Sequence, residues 1–135
     1  MTYLLDTSIY SQAIKKNPVY SVVEKWKEVG DASCCISVFC EMEILQGLRM
    51  SGSKTLYHMY EHVLKDRITL IPFTLAEAEI YAQLQAESVH RGYKRPVIDL
   101  CIAATAISHG CTLVTLNNKD FDGIPNLIIE DWCSI

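Results

Sequence analysis

Thr2-Tyr3-Leu4-Leu5-Asp6-Thr7-Ser8 decides the fold: an apolar run of strand length stops at a carboxylate and two hydroxyl side chains. A run this short, followed by a longer helical pattern, reads as a buried strand of an α/β sheet. Asp6 then stands just past the carboxyl end of that strand, the edge where open α/β sheets bind ligands.

The same alternation continues outward. A helix follows Asp6, and Asn17-Pro18 is expected to cap the next one through about Val29, with proline at its first position. Cys34 to Ile36 is a second strand, and Ser37 caps a helix that runs to about Arg49. Ser51-Gly52-Ser53 breaks the chain, Lys54 to Lys65 is helical, and Arg67 to Ile71 is strand-like. Thr74 and Glu77 form a capping box for a helix that reaches about Arg91 and ends at Gly92. Val97 to Ser108 is a further helix closed by Gly110; Thr112 to Thr115 and Leu127 to Ile129 are the last strands. Strands alternating with helices predict an α/β fold around a central parallel sheet, in one domain over residues 1–135.

Composition narrows the function classes. With 135 residues, 50% hydrophobic and 21% charged, the chain is an ordered globular protein. A net charge of −4 excludes coating of nucleic acid by bulk electrostatics. Local contact with RNA stays open, because carboxylates gathered around a cation no longer repel phosphate as bare charges do. Lys15, Lys16, Arg91, Lys94 and Arg95 are the candidate basic contacts. The six cysteines include no Cys-x-x-Cys pair and mostly lie in apolar stretches, so they read as buried thiols of a reducing compartment. Asp6 interrupts the apolar start before a signal-peptide core can form, and Leu100 to Ile107 falls far short of a bilayer span. A cytoplasmic protein without a membrane partner is expected.

The placement of the acids carries the chemistry. Asp99 stands in the first turn of a helix that is otherwise apolar, Val97-Ile98 and then Leu100-Cys101-Ile102-Ala103-Ala104. A helix apolar all round is buried, and an unpaired charge near the interior is costly. Favourable interaction with the helix dipole is one explanation for Asp99; a cation shared with Asp6 is the other. Asn117 and Asp120 follow the strand that ends at Thr115, and Glu41 and Glu43 lie on the helix after the second strand. Three or four acids without a pair of positioned imidazoles suit metal-assisted phosphodiester hydrolysis, in which magnesium or manganese prefers hard oxygen ligands. His58 and His62 share a helix face but lack the glutamate of a metalloprotease motif, and read as a solvated face.

Four segments in order resemble the PIN-domain family of VapC-type toxin ribonucleases. These are Tyr3-Leu4-Leu5-Asp6-Thr7-Ser8, Ser37 to Gly47 with Glu43 inside it, Asp99 to Ala106, and Leu113 to Phe121. Glu130-Asp131-Trp132 resembles the family's tail. The resemblance implies a three-layer α/β/α PIN-like fold and a magnesium- or manganese-dependent endoribonuclease acting on structured RNA, such as transfer or ribosomal RNA. It also implies a small cognate antitoxin that blocks the site, and a homodimer. Carried over residue by residue, Asp6, Glu43 and Asp99 are the expected metal-binding acids. Thr7 and Thr115 are expected to orient acids or water, and Asp120 to supply a fourth acid with Asn117 in support. Helical periodicity alone favours Glu41 over Glu43, whereas the family register favours Glu43.

Four other readings compete. Aspartate-nucleophile phosphatases need a second aspartate two residues after the first, and that position is Ser8. A receiver-type domain needs an acidic pair and a late lysine that are not in register here. A PIN nuclease of RNA processing without an antitoxin, or an inert PIN-fold binding module, keeps the same fold.

Overall fold

The computed structural model describes residues 2–133. Five strands form one sheet: β1 (Tyr3–Leu5), β2 (Cys34–Ser37), β3 (Thr69–Ile71), β4 (Thr112–Val114) and β5 (Ile129–Glu130). Their spatial order is β3-β2-β1-β4-β5, and every neighbouring pair is parallel. Tyr3 pairs with Cys34 on one side and Thr112 on the other, so the first strand of the sequence is the middle strand of the sheet. Parallel strands require crossovers, and helices supply them on both faces. That is why β2 is buried at all four positions and Leu4, Leu5, Leu113 and Val114 are wholly buried.

Between the strands run α1 (Thr7–Tyr10), continued by a 3₁₀ turn over Ser11–Ile14, and α2 (Tyr20–Val29). Next come α3 (Val38–Ser51) and α4 (Lys54–Met59), the latter extended by a π-helical turn over Tyr60–Leu64. Then follow α5 (Leu75–His90), α6 (Val97–Ser108) and the short α7 (Asn118–Phe121). The parallel sheet expected from the alternation, and the three-layer α/β/α arrangement the resemblance implies, are the ones observed. Ser37 caps α3 by accepting the Cys40 amide at 3.2 Å, and Gly52 closes the helix in the left-handed conformation (φ 62°), which costs glycine little. Residues Leu100 to Ala106 of α6 are all buried, as its uniform apolarity requires. No described helix is long and apolar enough to cross a membrane.

Several expected boundaries move, each for a tertiary reason. Pro18 does not open α2: Val19 is the N-cap, and the buried Gln12 side chain, not Asn17, accepts the Val19 amide at 2.8 Å. Arg67 stands before β3, because its guanidinium is drawn to Asp31, at 3.1 and 3.2 Å, and over the Trp26 ring. Thr115 lies one residue beyond β4; its amide still donates to the Glu130 carbonyl at 3.4 Å, while its hydroxyl turns to Asp6. The final strand begins at Ile129 rather than Leu127, and α7 is a helical turn that the pattern did not suggest.

Five of the six cysteines are buried, and no disulfide forms among the described residues. Cys35 and Cys111 bring their sulfurs to 3.9 Å beneath β1.

Candidate active site

The chain leaves β1 toward β2 on one side and returns through β4 on the other. The strand order therefore reverses beside β1, which opens a crevice at the carboxyl ends of β1 and β4. Asp6 and Thr115 flank that crevice. Asp6 is the N-cap of α1, with extended backbone (φ −72°, ψ 163°), and only 6% of its surface is exposed. One carboxylate oxygen, Oδ1, accepts the Thr7 amide at 2.7 Å. The other, Oδ2, accepts the Thr115 hydroxyl at 2.7 Å and the Ser8 hydroxyl at 3.3 Å.

The two hydroxyls are themselves held. Thr115 Oγ1 accepts the Asn117 amide at 2.9 Å, and Ser8 Oγ accepts the Leu116 amide at 3.0 Å. Each hydroxyl thus accepts from the loop after β4 and donates to Asp6, a lattice that ties the carboxylate to that loop. Sequence reasoning assigned Thr115 a supporting role but missed Ser8. The available signal was the run Asp6-Thr7-Ser8, whose second hydroxyl caps the carboxylate two residues back.

Glu43 projects from α3 to the same place. Its Oε1 accepts the Thr7 hydroxyl at 2.5 Å, so Thr7 links Asp6 through its amide and Glu43 through its side chain. Glu41 points elsewhere: it accepts the Tyr60 hydroxyl at 3.1 Å and lies beside Tyr10. Burial is the main cause that raises the Glu41 carboxyl above its usual range. Helical periodicity identified the more buried glutamate, and the more buried one packs against tyrosines rather than the crevice.

Asp99, in the first turn of α6, completes the group. Burial, followed by the charges of Asp120, Asp6 and Glu43, pushes its carboxyl up to about 6 from an ordinary value of 3.8. The charges that act on Asp99 thus come from three elements: α7 through Asp120, the N-cap of α1 through Asp6, and α3 through Glu43. Asp120 ranks ahead of the other two acids in that effect, and the Asn117 carbonyl accepts its amide at 3.0 Å.

The donor set fits a hard divalent cation. Ligand atoms of Asp6, Glu43 and Cys40 lie within 4.8 Å of one another. Cys40 is the misfit, since burial and then the charge of Asp6 push its thiol up to about 12. It stays neutral against the Leu5 carbonyl at 3.5 Å and the Ser37 hydroxyl at 3.4 Å. With the thiol protonated, the donors that remain are carboxylate oxygens, the preference of magnesium and manganese rather than of zinc.

The basic residues are divided. Lys15 and Lys16 are exposed after the 3₁₀ turn and line a groove that Glu43 also borders. Arg91 and Lys94 are exposed at the α5–α6 connection. Arg95 donates to the carbonyls of Asp120 and Asp122, at 3.4 and 2.5 Å, while its own backbone is bracketed by the Gln85 amide side chain. Most of its guanidinium is thereby spent on holding the loop that carries Asp120.

Comparison with known proteins agrees with this arrangement. The PIN domain family model matches residues 3–127. Ribonuclease VapC2 of Rickettsia felis is 34% identical over 134 residues, covering 98% of each chain. The tRNA(fMet)-specific endonuclease VapC of Shigella flexneri is 31% identical over 134 residues, again covering 98% of each. The crystal structure of DNA-bound VapBC from Salmonella typhimurium superimposes with a TM-score of 0.84 at 28% identity, over 98% of this chain and 99% of that one. Fold, acid cluster and relatives agree: the chain belongs to the PIN-domain family, among the VapC ribonucleases.

Proposed function

We propose that the chain is the toxin endoribonuclease of a toxin–antitoxin pair and hydrolyses phosphodiester bonds in structured RNA with Mg2+ or Mn2+ held by Asp6, Glu43 and Asp99. The observation that carries the reading is the meeting of Asp6 and Glu43 at the switch point of the sheet, ligand atoms within 4.8 Å of one another, with the Asp6 carboxylate locked by the hydroxyls of Ser8 and Thr115 and Asp99 close enough to feel both charges. A bound divalent ion supplies an activated water and stabilises the leaving oxygen in an in-line displacement. The chain's own contribution is positional. Thr7, Ser8 and Thr115 hold the Asp6 carboxylate in one orientation, and Thr7 sets Glu43 against it. Asp120 adds the fourth charge, with Asn117 in support through its carbonyl.

Transfer or ribosomal RNA is the proposed substrate class, in keeping with a relative whose name specifies a transfer RNA. A small antitoxin is the proposed partner, since the similar solved structures include VapBC complexes. A homodimer is proposed as well: Met42 and Leu45 on α3 and Leu75 at the start of α5 are exposed apolar side chains that a second copy would cover. Buried thiols are consistent with a cytoplasmic location. The reading is tested by incubating the purified chain with transfer and ribosomal RNA in magnesium, manganese or chelator. Cleavage with either ion that stops in chelator is the expected result; equal cleavage in chelator would overturn the metal mechanism.

The elevated Asp99 carboxyl adds a pH dependence of known sign. Without metal, Asp99 holds a proton below about pH 6, and a cation must displace it. Magnesium affinity, measured by calorimetry, is therefore expected to be flat above pH 7. It should fall by up to about tenfold per unit below pH 6, as protons compete for the site. In Asp99→Asn the affinity is weaker throughout and this segment of the profile is flat. An unchanged profile in the variant would remove Asp99 from the ligand set.

A further inference from the structure

We infer that the groove beside Glu43 is a binding subsite for an unpaired nucleotide next to the scissile phosphate. Lys15 and Lys16 would take its phosphate and the apolar floor its base; the inference rests on the nuclease reading above. The groove has a volume of about 310 Å³ and adjoins the acid cluster through Glu43, which lines it. That volume falls at the lower end of the roughly 300–1,000 Å³ typical of ligand pockets. Its floor is Ile14, Ile44, Leu48 and Leu56, and its rim carries the two lysines.

Two independent features point to a ligand. The first is Gly47, which lies inside α3, where glycine destabilises a helix relative to alanine. Packing does not demand it: a Cβ there would meet no atom within 4 Å, and its open side faces the groove. What the glycine provides is a bare stretch of helix against which a flat group can lie.

The second feature is charge. In a chain of net charge −4, Lys15 and Lys16 are exposed, and among the described residues neither is within ion-pair distance of a carboxylate, although Glu43 borders the same groove. Cations left unpaired one groove away from an acid cluster suit a polyanion whose scissile phosphate sits over the acids. The neighbouring phosphate then meets ammonium groups. The apolar floor between the two charges suits a base that has left its stack, as bases bound outside a helix rest on apolar side chains.

The test is the affinity of the full chain for a labelled single-stranded RNA of mixed sequence, measured across salt concentrations in calcium in place of magnesium. Cleavage in magnesium is followed alongside. Lys15→Ala and Lys16→Ala are each expected to reduce the slope of log affinity against log salt by about 0.7, the value for one single-strand phosphate contact. Gly47→Leu is expected to weaken binding several-fold with the slope unchanged, because it fills the floor and removes no charge. Its melting temperature should hold or rise, as leucine is the better helix former. Wild-type slope and affinity in all three variants, with wild-type cleavage intact, would overturn the inference and leave the groove to a protein partner. Failure of the wild-type chain itself to bind or cleave RNA would overturn the nuclease reading, and the subsite with it.

Discussion

Asp6→Asn is expected to lower RNA cleavage by at least about 1,000-fold, equivalent to roughly 4 kcal/mol of transition-state stabilisation, with the fold intact. The expectation combines position and tolerance. Asp6 is the carboxylate on which the hydroxyls of Ser8 and Thr115 and the amide of Thr7 all converge, so it cannot be replaced by a neighbour that swings in. Asparagine keeps the shape and one acceptor oxygen for the Thr7 amide, while its amino group meets hydroxyl oxygens that can turn to accept from it. It also removes one of the charges that raise the Asp99 carboxyl. The metal-free variant should therefore melt within a few degrees of wild type, or slightly above it, while the stabilisation that magnesium gives wild type is lost. The informative comparison is cleavage rate beside melting temperature, each with magnesium and with chelator. Full activity in the variant would exclude Asp6 as a ligand; a collapsed melting temperature would show that the hydroxyl lattice is chiefly structural.

Glu77→Ala is expected to destabilise the chain by about 3 kcal/mol, lowering the melting temperature by roughly 10 °C, without touching the acid cluster. Glu77 is 2% exposed. Its carboxylate accepts the Thr74 amide at 2.8 Å, the Thr74 hydroxyl at 2.7 Å and, from the far end of α6, the Ser108 hydroxyl at 2.5 Å. His109 stands 3.7 Å away. One side chain thus caps α5 and ties its start to the end of α6, the helix that carries Asp99. Alanine would leave those donors without their acceptor, and glutamine, which keeps one oxygen, should lose about half as much.

The Ser108 hydroxyl, then the Thr74 hydroxyl, draw the Glu77 carboxyl down to about 2 from an ordinary value of 4.5. A carboxyl lowered by folding contributes stability that is fully present above pH 4.5 and is lost as the pH falls toward 2. Wild type and variant should therefore differ fully at pH 7 and converge as the solution is acidified. Denaturant melts at pH 7 and pH 3 measure this directly, and a difference that stays constant with pH would place the cost in packing instead.

Glu77 also marks how far the sequence could be read. Its spacing from Thr74 announces a helix start, and that local bond forms; the reach to Ser108 spans 31 residues and has no local signature. The same division runs through the site. Asp6 and Asp99 are legible because their immediate context is anomalous, a carboxylate closing an apolar strand and another opening an apolar helix. Ser8 carries no signal of its own because a hydroxyl after an aspartate is common, and its importance lies in the Leu116 amide in the loop after β4. Arg95 read as an RNA contact from its charge, whereas its guanidinium is largely taken up by carbonyls 25 and 27 residues away.

What the sequence by itself determined is the set of elements apart from α7, their parallel class and the strand ends at which acids accumulate. Each of these follows from hydrophobic periodicity and backbone capping over a few residues. Periodicity favoured Glu41 and the family resemblance Glu43, and only the tertiary structure gives the physical reason one of them lies beside Asp6. Both lie on α3 two residues apart, and which one meets Asp6 depends on how that helix is rotated over the sheet. The rotation is set by the buried side chains Cys40, Ile44 and Leu48 packing against the rest of the core, which turns Glu41 toward Tyr60 and Glu43 toward Thr7. Periodicity locates the apolar stripe of a helix, but a crevice at the edge of that stripe exists only once a second element has closed it.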